Sequence, residues 1–298
     1  MPNEVRVRHA AGLRDQQIGA YLARLGLPAV APRADLAGLT ALQSAHLLAV
    51  PFENLSIGWG EWIDLDEEAL FAKIVTRGRG GFCYELNGLF WRLLTALGFR
   101  VTRVAAGVWS PSRGAFGPPF DHMALLVHFE NAGPGDDDRI GDHARDGTGG
   151  AATGTRYLVD VGFGASARAP LQLPDGDTRD VSGRYRVAPS DVAHHFTLAK
   201  WREEQGSEVQ GSGEQGSGEQ WQAQYRFSTV AQPLAAYAPM CGYHQTAPES
   251  SFTQRSVCSL ATPVGRVSLS ATELIITTPD SQARTPVTSV AEHDRLLA

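Results

Sequence analysis

The sequence predicts an α+β protein with helices first and strands after. Three observations carry that expectation. Apolar residues recur at helical spacing through the first hundred positions. From Arg100 onward the apolar stretches turn short, β-branched or aromatic, and are bounded by Gly, Pro and Asp. Two polar tracts with almost no apolar content, residues 131–155 and 203–220, sit between strand-like stretches. At 298 residues the chain can bury a sizeable core and divide into two or three compact units.

The elements follow in order. Asp15 is placed to cap a helix carrying Ile18, Tyr21, Leu22 and Leu25, which Gly26 and Pro28 end. A second apolar run, 39–50, stops at Pro51. Residues 66–76 set Leu70, Phe71, Ile74 and Val75 on one face, with acids in the first turn where the helix dipole favours them. The fourth helix carries Leu86, Leu89, Phe90, Leu93, Leu94 and Leu97 and closes at Gly98. Together these predict an N-terminal helical bundle. Strands are expected over 100–109, 122–129, 156–161, 195–201 and 221–227. Beyond them the pattern gives a short helix near 233–243, strands around 256–260, 265–269 and 273–278, and a terminal helix over 290–297.

The two polar tracts cannot bury enough surface to offset their ordering entropy and are expected to be flexible insertions between strands. Asp136, Asp137, Asp138 and Asp142 lie in the first, but their spacing does not fit a calcium loop, and no metal is expected.

Composition bounds the function. With 43% hydrophobic and 19% charged residues, the chain has the make-up of a soluble globular protein. A net charge of −6 gives no global cationic field for nucleic acid or anionic lipid, while leaving room for a local basic patch. No apolar run reaches the roughly 18 residues of a spanning helix, and the first residues lack the apolar core of a signal peptide. Cys83, Cys241 and Cys258 are odd in number and widely spaced, which suits neither a disulfide framework nor a metal site. A cytoplasmic location is expected; the oligomeric state is left open.

The chemistry gathers at Arg79-Gly80-Gly81-Phe82-Cys83-Tyr84-Glu85-Leu86-Asn87. Cys83 opens the fourth helix, where unsatisfied N–H groups and the dipole favour a thiolate. It reads as a candidate nucleophile, with a buried structural cysteine as the alternative. A thiolate nucleophile needs a base, and the base an orienting group. His122 opens an apolar strand, and Asp160 sits inside another, where a carboxylate is costly unless paired. An imidazolium is its natural partner, and the three unusual placements explain one another.

Four segments, in order, carry a resemblance. Val50-Pro51-Phe52-Glu53-Asn54-Leu55, the Arg79–Glu85 run, and Val159-Asp160-Val161-Gly162-Phe163-Gly164 are the first three. The fourth joins Tyr243-His244-Gln245-Thr246, Pro248-Glu249-Ser250-Ser251-Phe252 and Val257-Cys258-Ser259-Leu260-Ala261-Thr262-Pro263. The chain resembles the arylamine N-acetyltransferases over most of its length outside the two tracts. The resemblance implies a helical bundle, a central β-barrel-like domain and a C-terminal α/β lid around a cysteine-protease-like Cys-His-Asp core. Its expected units are 1–98, 99–202 with the tract 131–155, the tract 203–220, and 221–298. It implies Cys83 as nucleophile, His122 as base and Asp160 as orienting acid. It further implies a ping-pong reaction in which acetyl-CoA, a co-substrate rather than a tightly bound cofactor, acetylates Cys83 and an arylamine or arylhydrazine takes the acetyl group. Phe52 and Phe163 would line the acceptor site, and Tyr243 and Ser250 would lie near CoA.

Two departures stand out. Asp121 precedes His122 where family members often have Thr or Arg, which introduces a carboxylate able to compete for the imidazole. Pro118-Pro119 replace a more Gly- or Thr-like approach to the strand. Residues 131–155 are expected at a hairpin tip, leaving the ladder between His122 and Asp160 intact. The competing readings are an amide synthase using a longer acyl thioester, a cysteine hydrolase, and a non-catalytic CoA-binding module.

Overall fold

Short caps and apolar stripes build the helical part. The computed structural model describes Val5 and residues 12–130, 154–202 and 221–297, so the readings of 131–153 and 203–220, including the acidic run Asp136–Asp142, lie outside the described residues. The first helix, α1 (Asp15–Arg24), has Arg14 rather than Asp15 at its cap, and the Gln17 side chain accepts the Arg14 N–H at 3.0 Å. Helix α2 (Leu36–Ala49) is capped by Asp35, whose Oδ1 accepts the Gly38 N–H at 2.8 Å. The short strand β1 (Phe52–Glu53) and helix α3 (Leu55–Gly58) follow Pro51. Asp66 caps α4 (Glu67–Phe71), which continues as a π-helical turn, Ala72–Thr76, where one regular helix was expected. Helix α5 (Cys83–Ala96) is buried along most of its length, and Gly98 leaves it at φ 89°.

The strands then run β2 (Arg100–Ser110), β3 (Ala115–Phe116), β4 (His122–Phe129), β5 (Thr155–Val159), β6 (Leu171–Leu173), β7 (Asp177–Asp180), β8 (Gly183–Pro189), β9 (His195–Trp201) and β10 (Trp221–Ala231). All nine form one antiparallel sheet in the order β6-β5-β4-β2-β10-β9-β8-β7, with β3 paired to the end of β2. Its ends curl toward each other. Leu171 and Leu173 of β6 share one core with Tyr185 and Val187 of β8. The roll is nearly a closed barrel.

Strand β4 is buried on both faces, which is why its sequence is a continuous apolar run. Ala124 and Leu126 point into the barrel with Leu158, Tyr225 and Phe227. Leu125 and Val127 point outward onto Leu86, Leu89, Phe90 and Leu93 of α5. The β4–β5 ladder extends to Phe129↔Thr155, so the chain between them leaves and re-enters at paired positions.

The C-terminal part holds a 3₁₀ turn (Leu234–Tyr237), α6 (Ala238–Thr246), α7 (Ser251–Gln254), β11 (Val257–Thr262), β12 (Gly265–Ser270), β13 (Glu273–Thr277), β14 (Gln282–Pro286) and α8 (Val290–Leu297). Its sheet is five-stranded, β1-β11-β12-β13-β14, so the N-terminal part contributes an edge strand through Phe52↔Ser259 and Glu53↔Cys258. The expected boundary at 221 is corrected in the same way. Strand β10 pairs with β2 (Tyr225↔Val108) and with β9 (Trp221↔Trp201), which places it inside the barrel. Residues 203–220 therefore join two neighbouring strands of one sheet rather than two domains. Strands β6, β7 and β8 were not anticipated; β7 reads Asp-Thr-Arg-Asp and offers no apolar alternation. Among the described residues no helix is long and apolar enough to cross a membrane.

Candidate active site

The approach to Cys83 is built on two close contacts. Gly81 pairs with Phe52, exchanging Glu53 N–H to Gly81 O at 2.9 Å and Gly81 N–H to Pro51 O at 3.3 Å. A Cβ on Gly80 would stand 2.0 Å from the Pro51 carbonyl oxygen, so only glycine fits. Ion pairs then clamp the two segments. Arg79 Nη2 meets Glu53 Oε1 at 2.8 Å, and Lys73 Nζ meets Glu85 Oε1 at 2.8 Å and Glu53 Oε1 at 3.7 Å. Glu85 Oε2 also accepts the Phe82 N–H at 3.1 Å, which fixes the chain one residue before the cysteine. The Val50–Leu55 and Arg79–Glu85 segments are thus one structural unit.

Cys83 is the first residue of α5, and one turn on, Asn87 stitches three elements together. Its Nδ2 donates to the Met123 carbonyl at 2.7 Å and to Asp160 Oδ1 at 2.9 Å, while its Oδ1 accepts the Val161 N–H at 3.1 Å. Gly162 lies flat against the helix start, where an added Cβ would stand 2.8 Å from the Cys83 Cα. Strand β5 ends at Val159, so Asp160 sits in the turn just past it rather than in the strand. The Asp160 carboxylate accepts four hydrogen bonds: His122 Nε2 at 2.8 Å, Tyr225 OH at 2.9 Å, Asn87 Nδ2 at 2.9 Å and Gly162 N–H at 2.8 Å.

That environment sets the charges. Burial alone would raise the Asp160 pKa, but the His122 charge and these donors outweigh it and hold the carboxyl below its ordinary value. Burial also works against an imidazolium at His122, yet Asp160 beside it, together with the hydrogen bond and charge of Cys83, pushes the imidazole up to about 10. With Nε2 committed to Asp160, Nδ1 is the nitrogen left to meet the Cys83 sulfur. Burial pushes the Cys241 thiol well above its usual value and that of Cys258 up to about 11. Among the described residues, Cys83 is the cysteine hydrogen-bonded to His122. Cys83, His122 and Asp160 are 3%, 2% and 5% exposed, so their interactions act in a site nearly free of bulk water.

The remaining candidates divide. The Phe163 ring packs edge-on against His122 at 5.3 Å and against Tyr225 at 5.0 Å. Phe52 packs against the cluster holding Cys83 and stands opposite Gly164, whose Cβ position is 3.6 Å from its ring. Tyr243 is exposed on α6. Ser250 is buried: its hydroxyl caps α7 by accepting the Phe252 N–H at 3.3 Å and lies 3.1 Å from His244 Nδ1, so it shapes the α6–α7 turn and offers no free hydroxyl. Asp121 does not compete for His122. Its Oδ2 accepts the Val108 N–H at 3.3 Å and its Oδ1 lies 3.3 Å from His244 Nε2, which turns the carboxylate toward the lid. After Pro118-Pro119, Phe120 takes a left-handed φ of 69°, and the Tyr84 hydroxyl holds its carbonyl at 2.6 Å.

Two residues of the site escaped the sequence reading, Asn87 and Tyr225. Asn87 could have been found as a polar residue on the apolar face of α5, one turn after the cysteine. Tyr225 carries no such signal, because a strand tyrosine reads as ordinary core. Among the described residues no cluster of His, Cys, Asp or Glu is placed to hold a metal ion.

A model of the N-acetyltransferase family matches residues 35–133 and 151–297. The arylamine N-acetyltransferase of Mycolicibacterium smegmatis is 35% identical over 263 residues, covering 87% of this chain and 82% of that protein. Human arylamine N-acetyltransferase 1 is 30% identical over 251 residues, covering 83% of this chain and 79% of its own length. The solved Mycobacterium marinum arylamine N-acetyltransferase, in complex with CoA, superposes with a TM-score of 0.73 at 29% identity, covering 94% of this chain and 90% of that one. The barrel, the helix-borne cysteine and these matches over most of the chain lead to one conclusion: the chain belongs to the arylamine N-acetyltransferase family.

Proposed function

We propose that the protein moves an acetyl group from acetyl-CoA to an arylamine or arylhydrazine through a thioester on Cys83, with His122 and Asp160 completing the catalytic set. One observation carries this reading: a helix-start thiol faces an imidazole whose other nitrogen is locked to a four-times-bonded carboxylate. Cys83 Sγ attacks the thioester carbonyl, the new S–C bond forms as the C–S bond to CoA breaks, and the departing thiolate takes the proton from His122. The amine nitrogen then attacks the acetyl-Cys83 carbonyl. A C–N bond forms, the bond to Sγ breaks, and the nitrogen's proton returns to His122. Asp160 fixes the ring orientation and stabilises its charged form in both halves. Phe163, edge-on to His122, and Phe52 would supply apolar contact for an aromatic acceptor, and Tyr243, exposed on α6, is assigned to CoA. The CoA complex of the M. marinum relative supports acetyl-CoA as co-substrate.

Intact-mass analysis after incubation with acetyl-CoA alone tests the reading. One acetyl group on Cys83, discharged as product by an arylhydrazine, is the expected result. Cys83→Ala should abolish both adduct and turnover, while Cys241→Ala and Cys258→Ala should keep them. Turnover that survives Cys83→Ala defeats the assignment.

A further inference from the structure

A second polar site lies on the barrel away from Cys83. Where β7, β8 and β9 meet the β12–β13 hairpin there is a cleft of about 550 Å³, bordered by Tyr185, Lys200, Trp201 and Arg266 and rimmed by the hydroxyls of Thr277, Thr278 and Ser281. The volume falls in the range of small-molecule sites. Tyr185 is 1% exposed and forms its floor.

Three cations gather around that floor. Lys200 Nζ lies 5.2 Å from the Tyr185 ring centroid, and Arg168 and Arg266 both act on the tyrosine electrostatically. Arg168 is spent on backbone carbonyls, those of Thr262 at 2.8 Å and Gly265 at 2.7 Å. Arg266 Nη1 donates to Ser259 Oγ at 3.0 Å, while the Lys200 ammonium lies over the Tyr185 ring and feels the charge of Asp180. None of the three is in an ion pair among the described residues. The nearby carboxylate, Asp180, is already occupied by the Arg168 N–H at 2.6 Å, the Ser182 N–H at 2.7 Å and the Ser182 hydroxyl. Asp280 lies at the mouth; Arg184, also on the lining, is paired with Asp177 at 2.8 Å, and Arg179 has contacts of its own.

Three half-buried cations with one nearby carboxylate, Asp180, leave positive charge in excess, which is costly unless something anionic joins them. Burial and Arg266 hold Lys200 below its ordinary value; burial, with Arg168 adding to it, does the same to Arg266. Gly183 leaves the space that lets the lysine stem lie across the floor, since a Cβ there would stand 2.6 Å from Lys200 Cε. A planar guanidinium beside a point-charge ammonium suits a phosphate, and the hydroxyl rim and the Trp201 wall leave room for an attached organic group.

We propose that this cleft binds a small phosphate-bearing molecule, with its phosphate between Lys200 Nζ and the Arg266 guanidinium. The phosphate can belong to CoA itself or to a separate metabolite, and the two are told apart below. The full chain is titrated with pyrophosphate at constant ionic strength, reading bound pyrophosphate by calorimetry and Tm alongside. Saturable binding is expected, weakened about tenfold or more in Lys200→Gln and Arg266→Gln and restored in Lys200→Arg. Far-UV circular dichroism of each variant confirms the fold. The KM for acetyl-CoA in Lys200→Gln then assigns the source: a severalfold rise marks the phosphates of CoA, and an unchanged KM with pyrophosphate binding lost marks a separate ligand. Equal pyrophosphate affinity in wild type and both Gln variants, or a Tm rise that chloride reproduces at matched ionic strength, overturns the proposal. Neither result bears on acetylation of Cys83, which is tested by the adduct.

Discussion

Asp160 decides the site at the scale of single residues. Its four donors come from a helix, two strands and its own turn, so one carboxylate ties together parts of the chain that are distant in sequence. Asparagine would offer one acceptor oxygen in place of two and no charge. For Asp160→Asn we expect kcat to fall by about 10⁴-fold, the loss seen when the orienting aspartate of a triad becomes asparagine. A pH effect should accompany it. His122 is raised from its ordinary 6.5 to about 10, so its contribution to stability is fully present below pH 6.5 and is lost as the pH rises through 10. Asp160 is held below its ordinary 3.8, so its share is present above that value and is lost as the pH falls through the lowered one. Wild type should therefore lose Tm between pH 6.5 and 10 more steeply than Asp160→Asn. Parallel curves for the two proteins would show that the pair is not coupled to folding.

The start of α5 is where separate elements must agree. Its first residue is the nucleophile, its second turn carries Asn87, and its outer stripe packs on β4. Gly162 lets the turn after β5 lie within contact of the Cys83 backbone, and this closeness brings Asp160 and His122 to the thiol. Gly162→Ala places a methyl 2.8 Å from the Cys83 Cα, a contact that only backbone movement can relieve. We expect about 1–3 kcal/mol of lost stability from such overpacking and a fall in kcat of about 10²-fold from a displaced thiol. Urea denaturation and initial rates on the purified variant measure both. A variant that loses stability but keeps full kcat would show that the turn supports the fold without positioning the chemistry.

For the whole molecule, the two polar tracts are bracketed by paired strand positions, Phe129↔Thr155 and Trp201↔Trp221. Replacing residues 203–220 with an Asn-Gly turn should therefore preserve the β9–β10 ladder and leave kcat within about twofold, since loop length changes closure entropy only slowly. Collapse of activity in a folded deletion variant would give the segment a functional part. The sequence determined what local chemistry can mark: the helix stripes, the apolar strand opened by His122, the cysteine at a helix start and the carboxylate beside an apolar strand. Each is legible because it sets a period or breaks one. The tertiary structure alone decided that β10 belongs to the barrel, that β1 joins the C-terminal sheet and that Tyr225 bonds to Asp160. It also decided that Asp121 turns to His244 and that three cations gather around Tyr185. These pairings join residues far apart in the chain. No local period encodes a partner that only the closing of the sheet brings within reach.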